Sequence, residues 1–136
     1  MNMNNVKINL SDLKLPDNTD NLRNFSVKID KSINNKLHYI CAVTGIKKGL
    51  VVRKLVSYAL PKMKIVSISL DSLEGKKESK EIKFELGEQF SFRIAEEDYN
   101  TIQSIKNNTD MNQNIIVNSC LQYSLERIIV NTIQFD

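Results

Sequence analysis

Only three side chains in this sequence, Cys41, Cys120 and His38, offer a thiol or an imidazole to a metal. A structural zinc site takes four such ligands, so one is excluded on count and no cofactor is expected. A cysteine nucleophile needs a base beside its thiol, and His38 is the single candidate. The plainer reading makes both cysteines reduced, small apolar residues on helices and His38 a helix surface residue. There is no Gly-rich phosphate loop, no HExxH, no nucleophile elbow and no credible carboxylate pair, so an enzyme is not expected. No apolar run approaches the roughly 18–20 residues of a membrane helix. The N-terminal MNMNNVKINLSD also lacks a basic start followed by a long apolar stretch. These absences predict a cytoplasmic protein with no membrane contact.

What is present is unevenly distributed. The 136 residues suffice for one ordinary domain or two very small ones, and 41% hydrophobic residues suffice for a modest core. The net charge of +3 conceals a division along the chain. Residues 25–63 hold eight lysines and arginines against Asp30 alone, whereas residues 90–136 hold three against six acidic residues. A basic half joined to an acidic half implies an anionic partner that is gripped unevenly.

The chain also repeats itself. A shift of 65 lays residues 25–60 on residues 90–125 without a gap, with nine identities in 36 positions, among them Phe25/Phe90, Ser26/Ser91, Ile29/Ile94, Val52/Val117 and Tyr58/Tyr123. A gapless match with its apolar positions in phase reads as two copies of one supersecondary unit. Each copy opens with a period-two strand, FSVKI or FSFRI. Phe25, Val27, Ile29, Phe90, Phe92 and Ile94 form the dry face; Ser26, Lys28, Asp30, Ser91, Arg93 and Ala95 form the other. A first helix follows, spaced by Ile33, Leu37 and Ile40 or by Tyr99, Ile102 and Ile105. The acidic Glu96-Glu97-Asp98 suits a helix start, and Gly45 a helix stop. Second helices are predicted over residues 48–60, ended by Pro61, and over residues 113–129, capped by Asn112. Four divisions result: a flexible arm (1–23), in which Val6-Lys7-Ile8-Asn9-Leu10 forms a short strand if it finds an edge, a first unit (24–63), a connector (64–88) and a second unit with a tail (89–136). In the connector, residues 65–70 and 81–86 alternate like two strands around a charged loop, which predicts a β-hairpin.

Each copy, over about 38 residues, resembles the ribbon-helix-helix family of bacterial DNA-binding proteins, of the Arc and MetJ type. The resemblance is carried by Gln89-Phe90-Ser91-Phe92-Arg93-Ile94 and its altered copy Asn24-Phe25-Ser26-Val27-Lys28-Ile29. It implies a mainly α fold with a β-ribbon, two ribbon-helix-helix units in one chain forming an intramolecular pseudo-dimer joined by the hairpin. The major groove of B-DNA admits such a ribbon. The side chains placed to read bases are then Asn24, Ser26, Lys28, Gln89, Ser91 and Arg93. In the family the start of the second helix donates backbone N–H groups to phosphate, which carries over to Lys47, Lys48 and Gly49 and to Asn112, Gln113 and Asn114. The family often has Ser or Thr where Lys47 stands and Gly where Asp110 stands. Asp110 disfavours a phosphate, so the first copy is expected to grip harder.

Unlike letters on the two strands predict asymmetric or direct-repeat double-stranded DNA sites. The free protein is expected as a monomer, with higher assembly on DNA. Tandem units of this kind look like TraY-type accessory proteins of plasmid conjugation, which implies a relaxase or other relaxosome protein as partner. Transcriptional repression, an antitoxin-type autorepressor and a pure protein-interaction module are the alternatives.

Overall fold

The computed structural model describes residues 7–13, 21–73 and 84–136. Two strands and four helices make up the two copies. In the first, β2 (Leu22–Asp30) is followed by α1 (Lys31–Thr44) and α2 (Lys48–Ala59). In the second, β3 (Leu86–Ala95) is followed by α3 (Glu96–Thr109) and α4 (Gln113–Leu125). A parallel pair, β1 (Ile8–Asn9) against β4 (Ile128–Ile129), completes a mixed α/β fold. Among the described residues no helix is long and apolar enough to cross a membrane.

Strands β2 and β3 pair antiparallel, Asn24 opposite Arg93, Ser26 opposite Ser91 and Lys28 opposite Gln89. Each match of the register is mirrored about Ser26 and Ser91, which are themselves 65 apart. The dry face follows the period-two pattern, since Phe25, Val27, Ile29, Phe92 and Ile94 are all buried, with Phe90 half-buried. The pattern breaks at the strand ends. The register shifts between Lys28 and Asp30, and Asp30 and Ala95, expected on the wet side, are buried. Asp30 is the N-cap of α1: its Oδ2 accepts from the Ile33 N–H at 3.1 Å and its Oδ1 from the Glu85 N–H at 2.7 Å. A carboxylate so engaged turns inward regardless of strand parity.

The centre of the core is α2 against α4. Val51, Val52, Leu55, Val56 and Ala59 on one helix and Ile116, Val117, Cys120, Leu121 and Ser124 on the other are buried, position for position equivalents in the repeat. Helices apolar over so much of their surface require cover on several sides. They receive it from the ribbon, from α1 and α3, and from each other. Tyr58 meets Tyr123, its equivalent 65 residues on, with ring centroids 6.2 Å apart.

Expectations change in the connector and at the end of α4, and the arm finds the edge that its short strand needs. Residues 65–70 form no strand: 63–69 lack regular structure and Leu70–Leu73 is a short 3-10 helix. Alternating residues become a strand only where an edge pairs with them, and among the described residues no strand pairs with 65–70. The other expected strand, residues 81–86, lies outside the described residues except for its last three, of which Leu86 begins β3. Within the expected arm, residues 7–13 are anchored, because Ile8–Asn9 pairs with β4 and Leu10 and Leu13 join the core. Helix α4 stops at Leu125 rather than 129, since Ile128 and Ile129 serve as the partner strand for that arm.

Candidate nucleic-acid interface

The alternation that buries Phe25 and Phe92 leaves the opposite face of the ribbon bare. Asn24, Lys28, Gln89, Ser91 and Arg93 are exposed and Ser26 half-exposed. All six sequence-predicted reading residues therefore share one surface. Because of the register, the surface consists of three cross-strand pairs: Asn24 with Arg93, Ser26 with Ser91, Lys28 with Gln89. The central hydroxyls bond at 2.6 Å. Outward on each side stand one amide and one cation. Such a strip presents donors and acceptors in a row about as wide as two strands, 4.7–4.9 Å between backbones, narrower than the roughly 12 Å major groove.

The two predicted phosphate sites differ. At the start of α2 Lys47 is extended and exposed, and no side chain caps the helix. Its first N–H groups therefore have no intrahelical acceptor and no side-chain cap. The Lys48 ammonium sits 4.3 Å from the centroid of Phe90 and 3.3 Å from His38 Nε2. Burial pushes its pKa down, partly opposed by Cys41 and Glu88. Gly49 lies against Phe92, so the first turn of α2 is seated on the dry face of β3.

At the start of α4 the groups are already committed. Asn112 caps the helix by accepting from the Asn114 N–H at 2.8 Å. Gln113 Nε2 donates to the Ser26 carbonyl at 3.1 Å, and Asn114 Oδ1 accepts from the Lys28 N–H at 3.0 Å. Asp110 occupies the left-handed position before this helix, φ 58°, where Gly45 stands in the first copy at φ 74°.

Sequence reasoning missed Asn118. It is fully buried, accepts from the Asp30 N–H at 2.8 Å and donates to the Lys28 carbonyl at 2.8 Å. Its signal was the four-residue spacing from Asn114 amid the apolar residues Ile115, Ile116, Val117, Cys120 and Leu121, which stacks the two amides on one stripe. The cysteines are protonated at neutral pH, since burial pushes the Cys41 thiol up and the Cys120 thiol up to about 12. The chain matches no family model, no curated protein and no solved structure.

Proposed function

We propose that this chain binds double-stranded DNA by laying the β2–β3 ribbon in the major groove, as two ribbon-helix-helix units that form a pseudo-dimer within one polypeptide. The observation that carries the reading is the bare polar face: six donor- or acceptor-bearing side chains in cross-strand pairs, with the dry face packed on the helices behind it. Two contacts between repeat-equivalent residues, Ser26 with Ser91 and Tyr58 with Tyr123, support a pseudo-two-fold axis through ribbon and helices. Lysine and arginine suit the guanine edge; asparagine and glutamine suit adenine. Phosphate contact falls to the uncapped start of α2, where Lys47 and Lys48 add charge to the helix terminus. With Gln113 and Asn114 turned toward β2, the grip is uneven, in keeping with the basic first half of the chain.

Affinity for duplexes selected from a random pool tests this. Lys28→Ala and Arg93→Ala each remove about 1–3 kcal/mol of discrimination. Lys48→Ala weakens binding to all duplexes and lowers the salt slope by about one. Sequence preference that survives both strand substitutions would sink the reading face.

In the cell we assign the chain to the accessory proteins that help a relaxase assemble at a plasmid transfer origin, with repression of transcription, including antitoxin-type autorepression, as the alternative. A duplex-dependent rise in relaxase nicking on adding the chain decides between them. A protein-interaction surface is a second reading, favoured by Ile65, Val66, Ile68 and Leu70, which stand exposed between α2 and the end of the described connector.

A further inference from the structure

Four side-chain hydrogen bonds run from α4 to the outer edge of β2, engaging the Ser26 carbonyl, the Lys28 N–H, the Lys28 carbonyl and the Asp30 N–H. Among the described residues none runs from α2 to the matching edge of β3. The repeat explains the difference. Where α4 has Gln113, Asn114 and Asn118, α2 has Lys48, Gly49 and Arg53. Gly49 has no side chain to offer, and the Lys48 ammonium lies over Phe90. Asn118 ties the clamp together by also donating to the Asn114 carbonyl at 2.7 Å.

We propose that Gln113, Asn114 and Asn118 act as positioning residues that make β2 the stringent half of the reading ribbon and leave β3 the tolerant half. The inference rests on the ribbon reading proposed above. A side chain discriminates between bases only as sharply as its backbone is held, because a loosely held strand shifts to accommodate a wrong partner. The Lys28 peptide is held on both its N–H and its carbonyl, and the Ser26 carbonyl is held beside it. Asn24, Ser26 and Lys28 therefore approach the groove from a fixed frame. Gln89, Ser91 and Arg93 stand on a strand whose matching edge receives no side-chain hydrogen bond from α2 among the described residues. The bound molecule then has a polarity: one half of its site is read strictly and the other loosely.

The test uses the full chain and single-base changes throughout a duplex selected from a random pool, read by fluorescence anisotropy. Loss of preference in Lys28→Ala and in Arg93→Ala assigns each half of the site to its strand. Changes under β2 are expected to weaken binding about 10-fold or more, and changes under β3 about 2- to 3-fold. Asn114→Ala should reduce the β2 penalties to the β3 level. Asn114→Asp keeps an acceptor for the Lys28 N–H and should restore them, which loss of fold stability would not do. Amide exchange at Lys28 and Asp30, measured without DNA, should accelerate in Asn114→Ala and Asn118→Ala respectively; if Asn118→Ala fails to fold, Gln113→Ala, which frees the Ser26 carbonyl from a half-exposed site, should lower the β2 penalties in its place. Equal penalties in the two halves, or β2 penalties unchanged in Asn114→Ala, overturn the proposal. If no duplex is selected while Lys28 and Asp30 remain protected, the clamp stands as a structural feature and it is the ribbon reading that has failed.

Discussion

Asp98 sits where the first copy has Ile33, and it is buried with one carboxylate oxygen unpartnered. Burial raises its pKa above the ordinary 3.8; a hydrogen bond with Ser57 opposes the shift and Glu97 adds to it. The folded value lies above the unfolded one, so the protonated form favours folding. Its contribution is complete below about pH 3.8 and is lost as the pH rises through the folded value. We expect Asp98→Asn to be more stable than the native chain by about 1 kcal/mol at pH 7, with the gap closing toward pH 4. Urea denaturation at both pH values measures it; a gap that stays constant assigns the effect to packing instead. The same residue faces Cys120 and helps push that thiol up to about 12, which keeps it an inert member of the core. The repeat alignment did place Asp98 on the apolar position of Ile33, but three acidic residues in a row at a helix start read equally well as a solvated turn.

Helix ends distinguish the two copies as elements. Helix α1 begins at Asp30, whose carboxylate caps it and also holds the Glu85 N–H, while α3 begins at Ala95 with no side-chain cap. Asp30→Ala is expected to cost about 1–2 kcal/mol through the lost cap, visible as a lower urea midpoint and faster amide exchange at Ile33 and Glu85. If Glu85 alone speeds up, the cap contributes little. At the other ends, Gly45 and Asp110 both adopt the left-handed conformation, which a side chain disfavours by roughly 1 kcal/mol. The copies thus make opposite predictions. Asp110→Gly should raise the melting temperature by a few degrees and Gly45→Ala should lower it. A fall in Asp110→Gly would mean that its side chain supports the turn. The connector shows the limit of reading elements from pattern alone: residues 65–70 alternate like a strand, yet form none.

As a whole molecule the chain closes on itself through the β2–β3 ribbon, so no second copy is required to complete the dry face. Sedimentation without DNA should give a single species of about 15.6 kDa; a stable dimer at micromolar concentration would mean that the strands pair between chains. Much of this was legible in the sequence. The 65-residue repeat, the period-two strands with their dry and wet faces, the paired helices and the stop at Gly45 all depend on local preference or on burial of a patterned face, and both are written in residue order. What the linear order could not supply was the meeting of distant segments. Only the folded chain brings Asn118 to the Lys28 carbonyl, turns Asp30 inward, and pairs Ile8 with Ile128. Each of those depends on which backbone groups remain without partners once the core has formed, and an unpaired N–H or carbonyl acquires its partner from geometry rather than from its neighbours in the chain.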